Sequence, residues 1–476
     1  MATQQKKYLS TNEIKDWQVS PPPTSTVNNR DLLKAKLKDA NQDGALQAAG
    51  HHFTIGCVAL EITQRCNLDC SACYLSDFSE AVTDLPLGEV KRRVDQIFDH
   101  YGENTNVQIT GGDPTLRKRS ELIEIVRYVA DKGLRPALFT NGIKATRGLL
   151  SELKKAGLKD VAFHVDLTQE RKGYITEEDL NKVRSEYINR ADGLGLQVIF
   201  NTTVFDGNIC EIPMLADFFA SHANKVHLAS FQMIADTGRG TTRERPDAIT
   251  QENVKRLISK GAKADLKFDF PRVGHQNCNL YAKCIVAEDT RVPAFLEHDR
   301  EMVARTMTAI RGAHLSRYSR YQSLLALSQK VLRHDPLLTI RLMRYGASKL
   351  WSLRSGLLKS RARVNFITFY VHNFMSADAL EKERCEACVF MTMTRDGPIS
   401  MCVHNAKRDD FILQPIHHKD GSTWSPLHHL NRQVETLPFK KTKGRLRREK
   451  NELRANRTIP VAGIIGEIET NRRKAV

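Results

Sequence analysis

Cys66, Cys70 and Cys73 put three thiols within the eight residues Cys66-Asn67-Leu68-Asp69-Cys70-Ser71-Ala72-Cys73. A loop this short cannot pair three cysteines with one another without leaving one over. It can wrap all three around one face of a metal cluster. Thiolates are soft ligands that suit zinc or iron–sulfur clusters. Structural zinc wants four protein ligands. A four-iron cluster wants one ligand per iron, so three local cysteines leave one iron open for chemistry. On the triplet alone a zinc knuckle is the alternative.

A second set lies far along the chain. Cys385-Glu386-Ala387-Cys388 is followed by Arg395-Asp396-Gly397 and then Cys402-Val403-His404-Asn405. The Asp-Gly pair predicts a hairpin that brings Cys402 back to the first two cysteines. Cys278 and Cys284 are candidates for a further ligand. With His404, the three C-terminal cysteines also make an ordinary Cys3His zinc set.

The CxxxCxxC spacing resembles the signature of the radical S-adenosylmethionine (SAM) enzymes, with Ala72 where many members carry an aromatic residue. The resemblance implies a catalytic 4Fe-4S cluster on Cys66, Cys70 and Cys73. SAM is chelated at its open iron and cleaved reductively to a 5'-deoxyadenosyl radical. An external electron donor of flavodoxin or ferredoxin type is implied as a partner. Gly111-Gly112-Asp113-Pro114-Thr115 resembles the family's Gly-Gly-Glu motif, one methylene shorter. The glycines allow close approach of backbone and ligand, and Asp113 is expected to accept a hydrogen bond from the SAM amino group. Asn141, in an Asn-Gly turn dipeptide, stands where the family places a residue near SAM. His164 and Asp166 read as pocket residues or as ordinary strand-end polar groups, and Asp166 joins Asn141 in the expected SAM-binding set. Gly238 and Arg239 stand in the same position after the sixth strand.

The C-terminal cysteines resemble the auxiliary-cluster (SPASM/twitch-like) segment of the same superfamily, which implies a second 4Fe-4S cluster on Cys385, Cys388 and Cys402. A narrower resemblance joins Phe366–Met375, Cys385–Cys388 and Ile399–Asn405 to the tetraether-lipid synthase and pterin-methylating group. It rests on Val371-His372-Asn373-Phe374-Met375 and Cys402-Val403-His404-Asn405, and implies reaction at an unactivated carbon.

The elements that must position these residues alternate. Strand-like runs cover Cys57–Thr63, Asn106–Thr110, Pro136–Thr140, Asp160–Asp166, Gln197–Val204 and Lys225–Ile234. Helical patterns lie between them, several ending at glycine as helices commonly do. Six β–α units in series predict an α/β fold, a partial (β/α)6 barrel of parallel strands. The cysteine loop, the Gly111-Gly112-Asp113 run, Asn141, and His164 with Asp166 each fall at a strand's C-terminal end, where such barrels carry their chemistry. The expected domains are a flexible polar leader over 1–50, the barrel over 51–275, a basic helical region over 276–364, the auxiliary segment over 365–415 and a polar basic tail over 416–476.

The chain has 476 residues and a net charge of +17, which favours anionic partners. Between Met302 and Arg363 there are thirteen Lys or Arg and one acid, Asp335, with leucines interleaved. That stretch predicts either a solvated basic face or peripheral contact with an anionic membrane. Nucleic acid is disfavoured, since no recognition module is present. Eight of the ten cysteines fall in three clusters, which is metal-site arithmetic rather than a disulfide framework. With no signal peptide and no apolar run near ~20 residues, a cytoplasmic protein is expected. A lipid or other hydrophobic small molecule is the expected substrate. The alternatives are a radical SAM peptide maturase and, in another class, a zinc-bearing scaffold or nucleic-acid-binding protein.

Overall fold

The computed structural model describes residues 8–23, 29–242, 244–311, 320–417 and 421–427. The six expected strands are present as β1 (Cys57–Thr63), β2 (Asn106–Gly111), β3 (Arg135–Thr140), β4 (Asp160–His164), β5 (Gln197–Val204) and β6 (Val226–Met233). Each runs parallel to the next. The intervening helices cover the outside through one apolar face each: Val90, Val94 and Ile97 are fully buried on Leu87–Tyr101, and Ile125, Val126 and Val129 on Arg119–Asp131. β1 is buried along its whole length, as a central strand with covered faces must be.

The chain then adds β7 (Asn279–Ala287), β8 (Thr290–Pro293), β9 (Asn365–Asn373), β10 (Phe390–Met393) and β11 (Pro398–Ser400). β9 pairs parallel with β6, and β10 pairs parallel with β1. The six-stranded expectation therefore grows to eight parallel strands, the last two from the segment read as auxiliary. The sheet order is β11-β10-β1-β2-β3-β4-β5-β6-β9-β7-β8. β9 and β10 do not pair in a ladder, yet His372 on β9 and Phe390 on β10 meet edge to face at 5.0 Å. The two ends of the parallel sheet thus close on a side-chain seam.

Three domain expectations change. The 1–50 leader is not merely polar and loose: helices Thr11–Lys15 and Asn29–Asp39 form, and Leu9, Leu33 and Leu37 are buried. Leu37 faces the main core, and Leu9 packs with Cys385 and Cys402. The 276–364 region opens with the β7–β8 hairpin, because β7 covers the outer edge of β9. Its helices follow at Arg300–Ala309, Arg320–His334, Pro336–Ser352 and Arg354–Lys359. From the 416–476 tail, Ile416–His417 pairs with Thr423–Trp424, and Thr83 N donates to Pro426 O at 2.7 Å. The Lys440–Lys450 run lies outside the described residues. Among the described residues no helix is long and apolar enough to cross a membrane.

Candidate active site

The cysteine loop leaves the end of β1 and is clamped from two sides. Ser71 N donates to Thr168 O at 2.8 Å, from the loop after β4. The chain after β6 lies along the other edge: Arg239 N to Leu75 O at 2.7 Å, Gly240 N to Cys73 O at 3.0 Å and Thr241 N to Ser71 O at 2.6 Å. This approach requires glycine, since a Cβ on Gly238 would stand 2.3 Å from the Tyr74 carbonyl carbon. The Arg239 side chain is buried beside Cys73, with Asp69 at 3.8 Å and Glu80 at 3.5 Å. Cys66, Cys70 and Cys73 all line one cavity of about 650 Å³ that fills the barrel, within the size range of ligand pockets. Burial pushes the Cys66 thiol up to about 11 and holds Cys70 well above the ordinary thiol value. Buried thiols of this kind lose their protons when a metal takes up the charge, and a three-thiol set at the cavity mouth fits a cluster.

Gly111 and Gly112 also sit at the cavity, but their glycine requirement has another origin. A Cβ on Gly111 would be 1.9 Å from Thr63 O, and one on Gly112 would be 2.0 Å from Arg65 O. The end of β2 crosses the backbone leaving β1 at contact distance, so what needs the space is this chain rather than a ligand. Asp113 is corrected more sharply. It is 1% exposed and does not line the cavity. Its Oδ1 accepts from Thr115 N at 3.0 Å and Thr115 Oγ1 at 2.5 Å, and its Oδ2 from Thr140 Oγ1 and Asn141 N, both at 2.8 Å. With Asp one methylene shorter than Glu, the carboxylate folds back to brace the β2 and β3 exits. Asp113→Asn places an amide donor among these donors. It is expected to cost about 2–3 kcal/mol of stability while changing the SAM affinity of the folded protein little, measured by denaturant unfolding beside isothermal titration.

Asn141 faces the cysteine loop. Its Nδ2 donates to Asn67 Oδ1 at 2.6 Å and stands 3.9 Å from Cys66 Sγ. Asp166, by contrast, is fully buried and outside the cavity. Its oxygens accept from Thr168 and from Thr203 N at 2.6 Å, and it contacts His164 Nε2 at 2.7 Å. Burial pulls the His164 pKa down, but the Asp166 charge and hydrogen bond outweigh it and leave it above the ordinary histidine value. His164 is the residue of the pair that reaches the cavity, with Asp166 as its orienting partner.

Sequence reasoning missed a buried charge network. Glu61 on β1 is paired to Arg408, whose Nη1 lies 2.7 Å from both carboxylate oxygens, and accepts from Gln64 Nε2 at 2.8 Å. The Arg408 guanidinium also lies 4.6 Å from the centre of the Tyr74 ring, and Tyr74 donates to Gly111 O at 2.6 Å. The C-terminal segment is thereby tied to β1, to the residue after Cys73 and to the end of β2. A charged residue inside an otherwise apolar strand, Glu61 in Val58-Ala59-Leu60-Glu61-Ile62, was the available signal. Along the cavity wall Gln108, Asn201, Ser230 and Gln232 are interspersed with Phe139, Ile199, Leu228 and Tyr370. The Ser230 hydroxyl is buried with no hydrogen-bond partner among the described residues.

At the seam, β10 and β11 pair antiparallel across the Asp396-Gly397 turn, Met391 opposite Ser400, and return Cys402 as expected. Cys278, Cys388 and Cys402 line one buried cleft, and Cys385 lies within electrostatic range of all three. Arg384 Nε donates to Cys278 Sγ at 3.1 Å. Burial raises Cys278 to about 11 and Cys402 to about 12. Two expectations are corrected. Cys284 is fully buried in the main core in mid-β7, its thiol directed at Ile285 O. His404 stacks on Phe411 at 5.2 Å near Glu61, away from the cysteines. Among the described residues no three His, Cys, Asp or Glu side chains converge as a single-ion site would, and this holds for the Cys66–Cys73 loop as well.

Residues 60–219 match the family model of the Radical SAM superfamily. Over 219 residues the chain is 28% identical to 7,8-dihydro-6-hydroxymethylpterin dimethyltransferase of Methanocaldococcus jannaschii, covering 45% of this chain and 43% of that protein. Over 203 residues it is 27% identical to Fe-coproporphyrin III synthase of Methanosarcina barkeri, covering 41% and 48%. The chain thus spans less than half the length of these curated relatives. Among solved structures, SuiB of Streptococcus suis bound to S-adenosylmethionine is similar at 16% identity and a TM-score of 0.34, covering 47% of this chain and 48% of that one. With the cysteine loop at the C-terminal end of β1 of a parallel barrel, residues 60–219, which span that barrel's first five strands, carry a Radical SAM superfamily domain.

Proposed function

We propose that the barrel cavity binds SAM and a substrate side by side and that the enzyme modifies an unactivated C–H position of that substrate. The observation that carries this is the placement of Cys66, Cys70 and Cys73 around the mouth of a cavity that extends through the barrel. When bound there, a 4Fe-4S cluster supplies the electron that cleaves the SAM sulfonium bond and yields a 5'-deoxyadenosyl radical. The chain's own residues do the rest. Asn141 fixes the cysteine loop, Arg239 places a positive charge beside it, and the backbone of Gly111 and Gly112 forms the adjoining wall. His164, held through Nε2 by Asp166, presents its ring to the cavity. The closed seam keeps water from a radical that would otherwise be quenched.

The lining is mixed, which suits a substrate with an apolar body and a few hydrogen-bonding groups, one of them reaching the unpartnered Ser230. A lipid-linked or other largely hydrophobic molecule fits this description. Similarity to a pterin dimethyltransferase keeps methylation among the outcomes. Cys278, Cys385, Cys388 and Cys402 are proposed to hold a second 4Fe-4S cluster at the seam, and the electron donor to be of flavodoxin or ferredoxin type. Anaerobic incubation with dithionite and SAM tests the core of the reading. It is expected to release 5'-deoxyadenosine. Intact SAM from an iron-loaded sample overturns it. A change confined to lipid extracts of a deletion strain supports the hydrophobic substrate, whereas a changed peptide would replace it with the maturase reading.

A further inference from the structure

Eight of the fifteen exposed large apolar side chains among the described residues lie between Leu325 and Leu358. This is the basic helical region, and its orientation on the barrel is fixed. On helix Pro336–Ser352 one face is anchored: Leu338 is buried among Phe270, Met302, Val303 and Val331, Tyr345 donates to Ala294 O, and Lys349 donates to Pro293 O at 2.9 Å. The opposite face therefore points away from the protein. At helical spacing it presents Ile340, Met343 and Leu350 in one stripe. Beside that stripe run Leu337, Arg341, Arg344 and Trp351, all exposed, with Trp351 at 70%. Leu358, 86% exposed, extends the apolar surface from the next helix, flanked by Lys359, Arg361 and Arg363.

A merely solvated basic face would place polar residues between its charges. Here leucine, isoleucine, methionine and tryptophan fill those places. The single acid of the stretch, Asp335, is consumed at the helix start, where it accepts from Leu338 N at 3.1 Å and pairs with Arg305. Arg341 Nη1 lies 3.5 Å from Glu301 on helix Arg300–Ala309, whereas Arg344 meets no acidic side chain among the described residues.

We propose that this face, centred on Arg344 and on Trp351 with Arg354 stacked over its ring at 4.8 Å, is a docking surface for an anionic lipid bilayer. A bilayer surface offers an apolar layer and negative charge together, in the order that the stripe and its flanking arginines require, and tryptophan favours that boundary. A folded protein partner would need an apolar ridge framed by acids in one matching register. The surface lies outside the barrel cavity, and its binding is read without turnover, so its failure leaves the assignment of the cysteine site untouched.

The test is co-sedimentation of the full chain with vesicles of equal parts phosphatidylglycerol and phosphatidylcholine, against phosphatidylcholine alone. The expected result is roughly tenfold more bound protein on the anionic vesicles, falling as salt rises from about 0.1 M to about 0.5 M. Arg341→Glu with Arg344→Glu, and separately Leu337→Ser with Trp351→Ser, are expected to abolish it while iron content and melting temperature hold. Where a charge-reversed chain does not fold, quenching of Trp351 fluorescence by brominated phosphatidylglycerol, read against Trp351→Phe, decides insertion in the otherwise unaltered protein. No binding to anionic vesicles, equal binding to both compositions or no Trp351-dependent quenching overturns the proposal. So does a stable dimer that both double variants dissolve, since a second copy then covers the face.

Discussion

Replacing Cys66 with alanine is expected to remove one cluster and all SAM cleavage, while replacing Cys278 removes the other cluster and leaves SAM cleavage measurable. Iron and sulfide analysis after anaerobic reconstitution checks both. The unaltered chain should hold about eight irons, as two four-iron clusters, and either variant about four. Two controls follow from the geometry. Cys284→Ala should keep about eight irons, because Cys284 is enclosed in the core of β7 rather than at the seam. His404→Phe should also keep them, because His404 stacks on Phe411 and not among the thiols. About four irons with one zinc in the unaltered chain would make the seam site structural. Loss of iron in Cys284→Ala would move the fourth ligand.

Breaking the Glu61–Arg408 pair is expected to have the largest effect on stability. Both side chains are almost wholly buried, at 7% and 4% exposure, so Arg408→Met strands a carboxylate in the barrel wall at a cost of about 3–5 kcal/mol. Glu61→Leu with Arg408→Met removes both charges and should recover most of that loss. The pH dependence gives a second readout with a change of sign. In the unaltered chain burial raises the Glu61 pKa, but Arg408 outweighs it and holds it at about 2 against an ordinary value of 4.5. A lowered carboxyl pKa gives stability that is complete above the unfolded value and is lost as pH falls from about 4.5 toward 2. Without Arg408, burial is opposed by the Gln64 hydrogen bond and is expected to raise the folded pKa. The Glu61 contribution then opposes folding as pH rises past the unfolded value. Denaturant unfolding from acid to neutral pH, compared between Arg408→Met and the double variant, isolates this term. The same slope in both would show that Glu61 is not paired as described.

Much of the site was legible because it is local. The cysteine loop, the glycine pair and the Asn-Gly dipeptide each follow a strand whose periodicity is plain, and parallel order then sends them to one mouth. The Asp396-Gly397 turn is local too, and it returned Cys402 as expected. The illegible parts depend on contacts remote in sequence. β9 follows β6 in the sheet only after the β7–β8 hairpin and five α-helices, and β10 is four residues long with its partner, β1, near the start of the chain. Cys278 and Cys284 look equivalent as residues. One stands just before a strand at the seam, and the other points into the core from the strand's middle.

The clustering of the thiols, the order of β–α units and the charge of the helical region can be read directly along the chain, because residue type and short spacing set these within a few residues. Only the tertiary structure decided which side chains share a space. It made Asp113 and Asp166 braces of neighbouring strands, set Cys278 beside Cys388 and Cys402 while enclosing Cys284 in the core, and joined Glu61 to Arg408 across 347 positions. A carboxylate's role depends on which donors surround it, and in this barrel those donors come from strands that meet only when the sheet curls shut.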